Sequence, residues 1–498
     1  MIYFPLSISL NLALSWFIGC SSIVLAYIFL FFIGFEINYS NILLIIFVFL
    51  VTFKIFLFKK KQNKILNKNY LKILYSLVIS FAILYFVYFF FSGIIVQTPD
   101  SLQYHVLSKY LNHVIQYDYK SVAHIWDSFD KRLIFLPALN NFGNLLGLSF
   151  LDIFIPTNSI FFMILFLNIL LYFFDFQNIK KNKLTLFFCF VALMTLITNK
   201  VYIQHSFYFH TNFLTMVYFT LGVMGVAVYI RDYNTNVLLF GIFFLALTIL
   251  IRKEMLLFSL IPLIYLNYKN LLPNFKYKVF IFAIYFFVGF LYRLLLVFLF
   301  FLNEKYLSLS FSSHGGHVVV ILMLLSLIIL VFMRPFDLFP KKNRFLFIIS
   351  ILLLFLIILY FKSSKDTVDT LNALMNLLKK KYWGNIWLIT FATLCLFYLN
   401  ELINKKLNFS NQLIKKNNIA IVDFLGFVVS IFFVLRVYLY ILYGSIADKF
   451  FYDSGNRILI TVFPISIILT FLILHFKINL EFKKFFVICK KSIINIKY

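Results

Sequence analysis

Long apolar runs, interrupted by short polar clusters, recur from one end of the chain to the other. Runs of about 17 to 25 residues are long enough to cross a roughly 30 Å hydrocarbon layer as a helix. A helix also satisfies its own backbone hydrogen bonds where no water is present. The alternating pattern of a membrane β-barrel is missing. The pattern therefore predicts an all-α, polytopic transmembrane bundle of about fourteen helices, near 7–34, 40–58, 73–96, 153–175, 185–198, 212–230, 237–250, 255–267, 279–302, 317–333, 345–361, 386–400, 420–443 and 458–476. The first run is too long for a signal-peptide core and no small-residue cleavage site follows it, which predicts a retained helix.

Composition agrees with this reading: 63% of the 498 residues are hydrophobic and 13% are charged, with a mean hydropathy of +0.96. Charge then orients the bundle, because Lys and Arg concentrate on the cytoplasmic side. With the N-terminus inside, the cytoplasmic connections and the C-terminal tail hold 27 of the 45 basic residues, the opposite side 15 and the spans three. Twelve of the 18 acidic residues fall on the opposite, external side. Both termini are thus expected in the cytoplasm; abundant Phe, Ile, Lys and Asn suggest an AT-rich bacterial genome, and so an inner membrane. The net charge of the chain is +27, and the cytoplasmic positive residues are spread over seven segments beside helix ends, which suits anionic lipid head groups and not nucleic acid. Cys20, Cys189 and Cys395 fall in spans and Cys489 in the tail, so neither a disulfide nor a zinc site is expected.

Residues 1–498 read as a single membrane domain with no Pro-rich or Gly/Ser-rich linker. One connection is exceptional, the external loop 97–152, and loops of that length are usually functional or folded. Within it, about 101–116, Leu102, Val106, Leu107, Tyr110, Leu111, Val114 and Ile115 recur at helical spacing opposite Gln103, His105, Lys109, Asn112 and His113. This predicts an interfacial amphipathic helix, with Thr98 and Pro99 as its cap and first residue. A second external amphipathic segment is expected over 367–384, with Val368, Leu371, Leu374, Met375 and Leu378 on one face.

Asp100 opens the first of these helices at the water boundary. A carboxylate held there suits a general base; it equally suits stabilisation of a helix N-terminus. Arg252 and Lys253 at an external helix end have the same two sides, phosphate recognition or ordinary flanking charge. His314 and His317 are two histidines without a third ligand, and no metal site is assigned. Arg293, Arg436 and Asp423 lie in or near spans, where charge is costly unless used or paired.

The order Asp100, Tyr104, His105 at the head of the first long external loop resembles the polytopic glycosyltransferases of the GT-C fold, family-39-like branch. Phe135-Leu136-Pro137-Ala138-Leu139 and the stretch Gly143 to Gly147 resemble their proline-centred segment and glycine turn. Arg252-Lys253-Glu254 resembles a Lys-Glu pair near the lipid phosphate, and Asn456-Arg457-Ile458-Leu459 resembles an Arg-Tyr-Leu signature with Ile458 in place of Tyr. The resemblance implies a polyprenyl-phosphate-linked sugar donor, a glycan, lipid or protein acceptor, and cell-envelope assembly. It implies Asp100 as catalytic base and Tyr104, His105, Arg252, Lys253, Glu254 and Arg457 as substrate-binding residues. The second acidic residue that many such enzymes carry in the next external loop is replaced here by a stretch with His205, His210 and Asn212, so no cofactor is assigned and a divalent metal lacks a paired carboxylate. Two other classes fit the hydropathy, a lipid-linked oligosaccharide flippase and an O-antigen-type polymerase. Only 15 Gly and 9 Pro, with few mid-span charges, argue against the first; the polymerase is expected to carry its long loop later in the chain.

The charge distribution gives a direct test of orientation. Reporter fusions after Lys61, Lys341 and Lys415 should report cytoplasm, and fusions near Asp118 and Asp369 the outside; reversal at any two sites would overturn the topology.

Overall fold

The computed structural model describes residues 8–33, 40–47, 134–147, 150–174, 183–207, 210–252, 254–272, 274–301, 383–406, 416–443 and 459–475, with further positions at 38, 87, 104, 106–109, 111, 357, 364, 368 and 372. Among the described residues the chain is helical and contains no strand. In order, the helices are α1 (Ile8–Ile33), α2 (Phe135–Leu145), α3 (Phe150–Phe173), α4 (Lys183–Ile197), α5 (Lys200–Phe207), α6 (Thr211–Asp232), α7 (Thr235–Ile251), α8 (Met255–Phe258), α9 (Ile261–Tyr268), α10 (Phe275–Phe301), α11 (Ile386–Lys406) and α12 (Lys416–Tyr443), followed by α13 (Phe463–His475).

Four stretches, Leu10–Leu30, Phe154–Phe173, Thr211–Asp232 and Ile419–Arg436, are long and apolar enough to cross a membrane, and the bent pair α4–α5 makes a fifth if taken as one span. This is the extent of the expected fourteen spans that meets the test among the described residues. The expected spans 237–250, 255–267, 386–400 and 458–476 correspond to shorter apolar helices, and 279–302 falls in α10. Most of 40–58, 73–96 and 345–361, and all of 317–333, lie outside the described residues.

Two boundaries differ from expectation for local reasons. The connection expected over 199–211 is partly helical: Asn199 Oδ1 accepts from the backbone N–H of Val201 (3.0 Å) and Tyr202 (3.1 Å), capping a new helix. The chain turns by 58° there, and α5 buries Val201, Tyr202, His205, Ser206 and Phe207. The span expected at 255–267 is interrupted after α8, ahead of Pro262 at the start of α9; proline has no N–H to bond the carbonyl four residues back, that of Phe258, the last residue of α8. Ser259 at the break shares a 2.5 Å hydrogen bond with Tyr285 of α10.

In the segment expected as the first interfacial helix, part of the expected apolar face is buried together with two residues outside that face. Tyr104, Leu107, Ser108 and Leu111 are buried while Val106 is 48% exposed. The reason is polar: Asn140 donates to Ser108 Oγ (2.6 Å), Asn141 donates to the Ser108 carbonyl (2.7 Å), and Tyr27 of α1 donates to Asn141 Oδ1 (2.5 Å). This network fixes the segment against α1 and α2, and the side that carries it becomes the inner side. Of the second segment expected as an interfacial helix, 367–384, Val368 is described and exposed, as an apolar residue turned to lipid would be.

The centre of the bundle is the antiparallel pair α6–α7, with α10 on α7, α12 on α6, and α1 packed on α3 and α2. Glycines set the approach of α6 and α7. A Cβ added at Gly225 would stand 2.7 Å from Gly241 Cα, and one at Gly241 would stand 2.9 Å from the Gly222 carbonyl oxygen. Backbone meets backbone here, in the way small residues permit between apolar helices. Gly225→Ala should therefore lower stability by about 1–3 kcal/mol. Gly19→Ala, where an added Cβ meets nothing within 4 Å, should be neutral or gain up to about 1 kcal/mol of helix propensity. Thermal unfolding of the two variants in one detergent checks this; equal shifts would mean that the crossing is not tight.

Candidate functional site

The two ends of α6 differ in chemistry, and its 22 residues separate them by about 33 Å. At the C-terminal end, Arg231 donates to the Tyr172 carbonyl (2.7 Å) and stacks on its ring (4.6 Å), while the Tyr172 hydroxyl donates to Asp232. On the same side Asp423 of α12 accepts from Tyr265 (3.0 Å) and Tyr398 (3.1 Å) and pairs with Lys269 (2.7 Å). Every acceptor atom of this carboxylate is engaged by protein. Asp423 is thus a structural tie between α9, α11 and α12.

The N-terminal end of α6 gathers the residues that the sequence singled out. His210 is extended and accepts the Asn212 N–H through Nδ1 at 3.3 Å, capping the helix; the acceptor role places the ring proton on Nε2. Tyr104 and Thr211 share a 3.3 Å hydrogen bond between hydroxyls, and the Tyr104 ring meets the His210 ring edge-on at 5.9 Å. The next residue, Asn212, is fully buried and accepts a hydrogen bond from Arg252 Nη1 through Oδ1.

Arg252 leaves helical geometry at the end of α7, with φ −147° and ψ 129°, and this extended residue aims the guanidinium back toward α6. Its Nη2 pairs with Glu254 Oε1 at 3.0 Å. Arg252 is thereby gripped from both sides, by a neutral amide and by a carboxylate two residues on. Desolvation pushes the Glu254 carboxyl up, but the charge and hydrogen bonds of Arg252, with the backbone and the field of buried Arg436, outweigh it and hold the carboxyl down at about 2.

Of the residues selected from the sequence, Tyr104, Arg252 and Glu254 meet at this end, linked through Thr211 and Asn212. Asp100, His105, Lys253 and Arg457 lie outside the described residues, as do Asp127, Asp130, His314 and His317. Arg436, one of the in-span charges, belongs electrostatically to this end. Sequence reasoning noticed His210 and Asn212 only as occupants of a position lacking a carboxylate; the signal it lacked was the 40-residue separation between Asn212 and Arg252. Among the described residues no three His, Cys, Asp or Glu side chains form a metal-sized group.

The Asn212 amide is only half used. Asn212 Nδ2 is buried without a hydrogen-bond partner, a situation that costs about 1–3 kcal/mol in a folded protein. The arrangement defines a class: an all-helical protein with membrane-capable helices and a cationic, hydrogen-bonded node at one end of its central pair. No protein-family model matches the chain, and neither a curated protein nor a solved structure matches it.

Because the folded Glu254 carboxyl ionises below its ordinary 4.5, the ion pair stabilises the fold fully above that value and is lost as pH falls toward about 2. The difference in melting temperature between wild type and Glu254→Gln should be constant from pH 7 to 5 and narrow below pH 4.5. A difference that grows on acidification would contradict the pairing.

Proposed function

We propose that the protein is a membrane glycosyltransferase of GT-C type, transferring a sugar from a polyprenyl-phosphate-linked donor to a glycan, lipid or protein acceptor on the external side of a bacterial inner membrane. The proposed topology has about fourteen spans with both termini in the cytoplasm, so the Arg252 end of α6 faces outward. The observation that carries the reading is the fixed guanidinium: Arg252 is held between Asn212 and Glu254 beside Tyr104, at a level where a phosphate borne by lipid needs a cation.

In this reading Asp100, four residues before Tyr104, removes the proton from an acceptor hydroxyl. The acceptor oxygen forms a bond to the anomeric carbon as the bond from that carbon to the phosphate oxygen breaks, with inversion. The electron pair leaves with the lipid phosphate. Arg252, with Lys253 and Arg457, stabilises the charge developing there, as preorganised cations do in a partly dry site. Tyr104 and His105 line the acceptor side.

Asp100→Asn tests the reading, since Asn caps a helix about as well as Asp but cannot accept the proton. A general base contributes about 100- to 10,000-fold, so transfer in a glycan-complementation assay should be lost while expression and detergent stability stay normal. Full activity of the variant would remove Asp100 from the chemistry.

A further inference from the structure

We propose that Asn212 is a ligand-binding residue, whose side-chain Nδ2 donates to an anionic phosphate oxygen seated between the N-terminus of α6 and Arg252. The inference rests on the phosphate-recognising role given to this end above and adds a residue and a geometry to it.

Three observations converge. First, Asn212 Nδ2 is fully buried and without a hydrogen-bond partner. A buried donor in that state destabilises the fold, and natural structures rarely leave one so without a use. Thr220 Oγ1 and Trp387 Nε1 are also unpartnered, but Thr220 lies within α6 away from its end, and Trp387 sits among the rings of Trp383, Phe433 and Phe463. Second, the orientation of the Asn212 amide is fixed. Its Oδ1 accepts from Arg252 Nη1, so the amide cannot turn over without setting N–H against N–H, and Nδ2 is held as the spare donor of the pair. Third, Asn212 is the second residue of a 22-residue helix, whose N-terminus carries partial positive charge and attracts anions. The side-chain cap at this terminus is His210, which accepts the Asn212 N–H through Nδ1.

A neutral amide is suited to this place. An Asp at 212 would neutralise Arg252 and repel phosphate, whereas Asn positions the guanidinium through its oxygen and leaves its nitrogen for the ligand. The two donors, Arg252 and Asn212 Nδ2, then address one phosphate from adjoining sides. Glu254 balances the guanidinium while the site is empty of anion.

The test uses the purified full chain in nanodiscs, with farnesyl phosphate as the lipid probe, farnesol as its neutral counterpart and inorganic phosphate as the soluble arm. Wild type should bind farnesyl phosphate saturably and farnesol not at all. Asn212→Ala should weaken farnesyl phosphate binding by about tenfold, the worth of a hydrogen bond to a charged group. Asn212→Leu, which preserves volume and so packing, should do the same. The loss must persist in an Arg252→Ala background, because a residue acting only by positioning Arg252 would add nothing once Arg252 is gone. Unchanged binding in both Asn212 variants, or a loss that vanishes in the Arg252→Ala background, overturns the proposal. Inorganic phosphate binding as tightly as farnesyl phosphate, with the same dependence on Asn212, upholds the anion site and assigns it to free phosphate. The parent reading fails separately: Asn212-dependent binding with no sugar transfer sinks the transferase and leaves this site, while normal transfer by both Asn212 variants sinks this site alone.

Discussion

The contact between α6 and α7 at Gly222, Gly225 and Gly241 is the constraint on which the rest of the arrangement depends. Lipid offers no hydrophobic gain to drive apolar helices together, so their association relies on close packing and interhelical hydrogen bonds. At Gly225 and Gly241 the two backbones approach to within 3 Å of a hypothetical Cβ, and at Gly222 the Leu245 side chain fills the same space. That crossing fixes the register of the antiparallel pair. The register in turn decides that the start of α6, with Thr211 and Asn212, and the end of α7, with Arg252, come to one end of the bundle.

Around this pair, polar contacts are grouped by level. One end is tied by the Tyr172, Arg231 and Asp232 cluster and by Asp423 with its two tyrosines and Lys269; each is satisfied within the protein. The other end carries a guanidinium held in a fixed direction and a buried amide nitrogen that the protein itself does not use. Charge that is fully paired reads as architecture, whereas a fixed cation beside an unused donor reads as a place for something else. Ser108 belongs to the same logic, since three hydrogen bonds of Asn140, Asn141 and Tyr27 seat the segment bearing Tyr104 against the bundle.

Much of this was legible along the chain. The apolar runs located α1, α3, α6 and α12 to within a few residues, because a membrane-length run has few alternatives. Breaks were less legible. Asn199 begins α5 because its side chain caps the next turn, and an Asn-Lys pair between apolar runs equally suits a plain loop; Pro262 did carry a signal, which run length outweighed. The burial of Tyr104 and the exposure of Val106 depended on asparagines thirty residues away. Arg252 and Glu254 were recognisable from type and place, and Asn212 was not, since its role exists only once α6 and α7 are folded together.

The unequal lengths of the central helices have a geometric consequence. α6 has 22 residues and α7 has 17, and they share the short turn at Tyr233 and Asn234, so α7 ends about 7 Å below the start of α6. The Arg252 side chain spans that difference to reach Asn212. The cation of α7 is therefore carried alongside the first turn of α6, and its side chain is only 19% exposed. A charge so withdrawn from water acts on its neighbours with more force than it would at the surface, so the hold of Arg252 on Asn212 and Glu254 reaches beyond the turn that separates the helix ends.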